Sequence, residues 1–170
     1  DCVFAYSDVP YQRVMAVSAI VNAAGANFTL LGWKETMIKS TKPVIAVGAV
    51  RTGGGKSEAS RRIVDELKKR GLKVIAIRHP MPYGNLVKQA VQRFETIDDL
   101  SKHECTIEEM EEYEPHVVRD TIIYSGIDYE AILRQAESDP RGCDVILWDG
   151  GNNDFPFIKP DLMITLVDPQ

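Results

Sequence analysis

The chain has 170 residues, 44% of them hydrophobic and 26% charged, with a net charge of -5 at pH 7. That balance suits one sizeable globular core, and the acidic total argues against a general nucleic-acid binder, which needs a basic surface to meet phosphate backbones. No run of about 18 apolar residues occurs and the N-terminus lacks a signal pattern, so no membrane association is expected and a cytoplasmic location is.

Residues 1–41 read as strand, helix, strand: "VFAYSD", then "PYQRVMAVSAIVNAAG" with Pro10 at its start and Gly25 at its end, then "NFTLL". One such unit is not a domain. Because the chain lacks an initiating Met and starts directly in a strand, it reads as a fragment of a longer chain, with 1–41 closing a preceding Rossmann-like α/β domain and "GWKETMIKSTKP" as connector. Residues 42–170 form the second expected domain, C-terminally incomplete.

From Pro43 onward strands and helices alternate. "PVIAVGAV" is an apolar, β-branched strand suited to burial on both faces. "KSEASRRIVDELKKRG" follows as an amphipathic helix stopped by Gly71, and "KVIAIRH" repeats the strand pattern. "GNLVKQAVQRFETIDDLSK" reads as one helix or two short ones, and "TIEEMEEYE" opens a helix with a Thr-x-x-Glu capping box. "TIIYS" is a short strand, "DYEAILRQAES" a helix, and "CDVILWDGG" and "DLMITLVD" are further strands. The alternation predicts an α/β fold: a doubly wound, mostly parallel sheet in three α/β/α layers, with ligands at the carboxyl ends of the strands.

Cys2, Cys105 and Cys143 are too few and too scattered for a disulfide framework and read as reduced structural thiols. His103, Cys105 and His116 match no usual zinc spacing. Charge is unevenly spread: residues 42–93 hold 12 Lys and Arg against 3 Asp and Glu, whereas residues 94–170 hold 5 against 19. Basic charge therefore gathers around a glycine-rich loop, as a small polyanion would require, although solvated helix faces account for part of it.

That loop, "AVRTGGGKS", carries the end of a Walker A motif, G-x-x-x-x-G-K-[ST]: Gly55, Lys56 and Ser57 fit, and Val50 stands where the first glycine would be. Gly53 and Gly54 let the backbone approach an anion, and the following helix directs its positive end to the same place. The nucleotide-binding set is Thr52, Gly53, Gly54, Gly55, Lys56, Ser57 and Glu58. The letters also resemble the K-G-G-x-G-K-[ST] variant of the branch that includes MinD and the nitrogenase iron protein, with Arg51 for the extra Lys. Such a residue can reach a facing subunit, which would make Arg51 catalytic across a homodimer.

In "DVILWDGGNNDFPF" four apolar residues lead to Asp149, the shape of a Walker B strand whose carboxylate holds Mg²⁺. Ser57 and Asp149 are the expected metal ligands and Asp154 the reserve; Asn152 and Asn153 either orient a water or build a turn. "IRHPMPYG" places Arg78 and His79 at a strand end, as candidates for substrate phosphates or as a paired Arg and a capped His. Lys88 and Arg93, on the helix expected next, would complete the anion pocket.

The three clusters "AVRTGGGKS", "AIRHPMPYG" and "VILWDGGNNDFPF", in this order and with "CTIEEMEEYEPH" and "SGIDYEAIL" between them, resemble the central portion of the cyclic 2,3-diphosphoglycerate synthetase family. The resemblance covers nearly the whole chain. It implies a P-loop NTPase fold and an ATP- and Mg²⁺-dependent ligase that joins the two phosphates of 2,3-bisphosphoglycerate into an intramolecular anhydride. Lys56 would neutralise the β and γ phosphates, and Ser57 and Asp149 would hold Mg²⁺; Arg51, Arg78, His79 and Arg93 are expected, from their charge and position, to gather the substrate. Many chains with this pattern are labelled only as GTPases, so GTP stands beside ATP, and a MinD-like nucleotide switch acting on a protein partner is the alternative.

Overall fold

A computed structural model describes residues 1–4, 9–79, 81, 85–152 and 155–167. The chain divides into two compact units, Asp1–Met37 and Ile38–Gln170. In the first, β1 (Cys2–Phe4) pairs in parallel with β2 (Phe28–Leu30), Cys2 opposite Phe28. Between them runs α1 (Tyr11–Ala23), entered from Pro10 in extended conformation and left through Gly25 at φ 77°, as the sequence suggests. A single turn, α2 (Trp33–Thr36), lies in the expected connector.

The second unit is built on β3 (Val44–Ala49), β4 (Val74–Arg78), β5 (Gln92–Phe94), β6 (Ile122–Ser125), β7 (Val145–Asn152) and β8 (Leu162–Leu166). They form one sheet in the order β5-β6-β4-β7-β3-β8, parallel throughout except for the antiparallel β5–β6 pair. The helices are α3 (Lys56–Lys69), α4 (Ile97–Lys102), α5 (Ile107–Val117) and α6 (Tyr129–Glu137). The mostly parallel sheet with helices on both faces is the expected P-loop architecture. Among the described residues no helix is long and apolar enough to cross a membrane.

The two-residue period of a strand assigns each side chain to one face. Ala46, Ile75, Ile77, Tyr124, Ile146 and Trp148 pack against Ile132, Leu133 and Ala136 of α6, with Phe157 edge-on to Trp148. The alternate positions face the other way. There Val47, Val74 and Leu147 meet Val64 and Leu67 of α3, while Ala76 and Ile123 meet Leu100 of α4 and Tyr113 and Val117 of α5. On this second face the next outward positions of β4 and β7 are Arg78 and Asp149, directly opposite each other in register.

One element differs from expectation. The segment read as helix across 84–102 contains β5, and only 97–102 is helical. Gln92 and Phe94 are buried while Arg93 between them is half-buried, so the segment follows the strand period and closes the edge of the sheet beside β6. Phe94 is fully buried against Tyr113. Lys88 and Arg93 therefore do not share a helix.

α5 begins as its sequence predicts: the Thr106 side chain accepts from the Glu109 N–H, and the Glu109 carboxylate accepts from the Thr106 N–H. Replacing Thr106 by Ala orphans the Glu109 N–H and is expected to lower stability by about 1 kcal/mol in urea unfolding. Phe94→Ala, which empties a fully buried site, is expected to cost about 3–5 kcal/mol in the same measurement.

Candidate nucleotide site

The loop from β3 to α3 opens onto a cavity of about 420 Å³ lined by Arg51, Thr52, Gly53, Gly54, Gly55, Lys56, Ser57, Glu58, Arg78 and Glu112. Gly55 takes a φ of 83°, a left-handed conformation that a side chain resists, and turns the chain directly into α3. Consecutive backbone N–H groups and the positive end of a 14-residue helix thereby meet at the cavity. All seven residues expected to hold nucleotide line it, together with Arg51 and Arg78.

Lys56 is 7% exposed and its Nζ donates to Asp149 Oδ1 at 2.9 Å. Asp149 is 1% exposed and is the hub of the site. Its Oδ1 also accepts from Ser60 Oγ at 2.8 Å, one turn beyond Lys56 on α3. Its Oδ2 lies 3.2 Å from His116 Nε2 on α5 and 3.4 Å from an Arg78 guanidinium nitrogen on β4. Burial by itself would raise the Asp149 carboxyl, but the His116 hydrogen bond and the charges of Arg78 and Lys56 hold it well below the usual carboxylate range. An ionised carboxylate only accepts, so His116 donates through Nε2.

β7 is shaped for this approach. Val47 pairs with Asp149 but Ala49 pairs with Asn152, a bulge that takes up Gly150 and Gly151. A Cβ on Gly150 would come within 2.8 Å of Trp148 Nε1 and 3.0 Å of the Val47 carbonyl oxygen, so glycine is required there. The Gly150 carbonyl instead accepts from Arg78 at 3.0 Å. Arg78 also reaches Glu112 of α5, nitrogen to Oε1 at 2.9 Å. The expected substrate arginine is thus largely engaged by protein groups, while still bordering the cavity.

The remaining expected residues are placed differently. His79 follows β4, half-buried, and does not line the cavity. Arg93 stands opposite Tyr124 on the sheet face that carries α6, away from Arg78 and Asp149. Its Nε and a terminal nitrogen donate to the two Asp139 oxygens at 2.6 and 3.2 Å, and it also reaches Glu95 at 2.7 Å. The structure therefore separates Arg93 from the anion cavity, because strand pairing and not helical spacing sets its direction. Asn153, Asp154, Pro80 and Pro82 lie outside the described residues.

Ser60, Glu112 and His116 belong to the site and were not read into it from sequence. Ser60 was signalled by its i+4 spacing from Lys56, and Glu112 and His116 share the same spacing on α5. Among the described residues no group of three or more His, Cys, Asp or Glu is placed to hold a metal. Burial pushes the Cys105 and Cys143 thiols up to about 11, consistent with inert structural cysteines.

No protein-family model matches the chain. Over 168 residues, 99% of the chain, it is 60% identical to the arginine synthetase ArcE of Thermococcus kodakarensis, and it spans 37% of that protein's length. In fold it is similar to LpxK of Aquifex aeolicus, whose crystal structure contains ATP, with a TM-score of 0.60 and 15% identity over 91% of this chain and 47% of the other. The P-loop fold of the second unit is established by this likeness together with the loop geometry.

Arg93 and Asp139 provide a test of structural against ligand-binding roles. Burial would raise the Asp139 carboxyl, but Arg93, the Arg141 N–H and the Tyr124 hydroxyl hold it below its ordinary 3.8. A depressed carboxyl contributes stability that is complete above the unfolded value and is lost as pH falls through the folded one. Arg93→Met is therefore expected to cost about 2 kcal/mol near neutral pH. The deficit should narrow as pH falls below the ordinary carboxylate value and through the depressed folded one, where Asp139 protonates. Denaturation curves across pH measure this, and nucleotide affinity should be unaffected.

Proposed function

We propose that the chain is the nucleotide-binding domain of an ATP-dependent synthetase that phosphorylates an acceptor oxygen and then displaces that phosphate. The observation that carries this is the glycine-loop cavity with Lys56 and Asp149 joined at its floor, 2.9 Å apart. The 60% identical relative named as a synthetase and the P-loop fold support it.

The acceptor follows from the relative's name. Making arginine means building a guanidinium, and the direct route replaces the oxygen of a ureido group by nitrogen. That oxygen leaves readily only after activation. The ureido oxygen attacks the γ phosphorus of ATP, the bond from that phosphorus to the β-bridging oxygen breaks, and ADP departs. Ammonia then adds to the activated carbon and expels phosphate, giving the guanidinium. A second reading, favoured by the sequence resemblance to cyclic 2,3-diphosphoglycerate synthetases, has one phosphate of 2,3-bisphosphoglycerate activated in the same way and displaced by the other.

Both readings ask the same of these residues. The loop N–H groups from Gly53 to Ser57 cradle the phosphates, and Lys56 turns from Asp149 to the transferring group, whose charge it offsets. The donor set also fits Mg²⁺, which takes few protein oxygens and completes its shell with phosphate and water. The Ser57 hydroxyl and the Asp149 carboxylate, once Lys56 has turned away, would hold it. Bound there, Mg²⁺ would neutralise phosphate charge. His116 and Ser60 keep the Asp149 carboxylate in position throughout.

The test uses the full-length protein with ATP or GTP and Mg²⁺, offered either the ureido analogue of arginine with ammonium or 2,3-bisphosphoglycerate. Amino-acid analysis follows arginine, and phosphorus NMR follows phosphate and any cyclic anhydride. Arginine formed with ATP consumption supports the first reading and a cyclic anhydride the second. Hydrolysis independent of both acceptors would sink the synthetase proposal and favour a nucleotide switch. Lys56→Met is expected to lower turnover at least about 100-fold, the scale for losing one charge-stabilising donor.

A further inference from the structure

The phosphate cavity contains a carboxylate that phosphate binding does not explain. Two acidic residues line it, Glu58 and Glu112. Glu58 lies in the first turn of α3, where the helix dipole favours negative charge. Glu112 has no such reason: it sits in the middle of α5, its side chain 28% exposed, and extends to Arg78. A carboxylate facing the cavity repels an anionic acceptor and attracts a cationic one.

The charges around Asp149 show how Glu112 becomes available. Lys56 and Arg78 are two cations facing two carboxylates, Asp149 and Glu112. When Lys56 turns to a phosphate, its place on Asp149 passes to Mg²⁺, and the phosphates add negative charge to the cavity that Arg78 lines. Arg78 divides its charge between Glu112 at 2.9 Å and Asp149 Oδ2 at 3.4 Å. A phosphate that draws Arg78 toward the loop loosens its bond to Glu112. The released carboxylate then borders a cavity whose other end holds the phosphates.

We propose that Glu112 recognises the acceptor by its positive charge, so that the cavity takes a substrate or product carrying a guanidinium or ammonium group, and that nucleotide binding exposes this carboxylate by drawing Arg78 from it. The proposal rests on the synthetase reading and specifies the chemical class of the acceptor. It orders binding, nucleotide before acceptor. Arg78 thereby serves as a positioning residue that couples the two halves of the site.

The test is calorimetric binding of L-arginine to the full-length protein, with and without saturating Mg²⁺ and ADP plus phosphate. Arginine should bind more tightly with the phosphate ligands present. Glu112→Gln should weaken arginine about 10- to 100-fold, the scale of one charge-assisted hydrogen bond. Glu112→Asp, which keeps the charge, should recover part of the loss; a thermal melt of each variant checks folding.

Equal arginine affinity in Glu112→Gln would overturn this proposal and leave the synthetase reading standing. A shift in the Mg²⁺ concentration needed for nucleotide binding, without a change for arginine, would also overturn it by making Glu112 part of the metal site. Binding of 2,3-bisphosphoglycerate with no binding of arginine would remove the cationic-acceptor proposal and the arginine reading together.

Discussion

A carboxylate removed from water is tolerated only when its charge is met and its oxygens are hydrogen-bonded. Asp149 meets that condition with groups from three other elements: Lys56 and Ser60 from α3, Arg78 from β4 and His116 from α5. The glycine loop, two adjacent strand ends and a helix distant in sequence are thereby fixed relative to one another. Moving any of them leaves a buried charge or hydrogen-bonding group without its partner. The cavity inherits its shape from this constraint.

Strand geometry makes the cluster available. β4 and β7 are neighbours in register, so Arg78 and Asp149 emerge side by side on the face that carries α3 and α5. The bulge at Gly150 and Gly151 ends regular pairing just beyond Asp149 and exposes a carbonyl to Arg78. A similar ion pair, Arg93 with Asp139, forms on the other face and takes no part in the cavity. Two arginines near strand ends are thus separated by the pleat: one serves the site and the other the framework.

The floor of the site is nearly charge-balanced, with two cations against two carboxylates. In the proposed coupling, a phosphate drawn to the loop competes for Lys56 and Arg78 and leaves Glu112 to the acceptor. Such a cluster suits an enzyme that must bring an anionic donor and a differently charged acceptor together.

Much of this was legible in the chain. The period of the apolar runs, the capping box at Thr106, the loop from Thr52 to Ser57 and the strand ending in Asp149 depend on residues within a few positions of one another, and local spacing determines them. Other features depend on pairing between distant segments. Gln92 to Phe94 become a strand because β6 offers them an edge, and Arg93 turns from the cavity because its partner is Tyr124. Glu112 and His116 join the site only because α5 packs over the ends of β4 and β7. Their sequence spacing marked one helix face, but which face met Asp149 was decided by tertiary packing, since a buried carboxylate takes its partners from whatever elements the sheet order brings beside it.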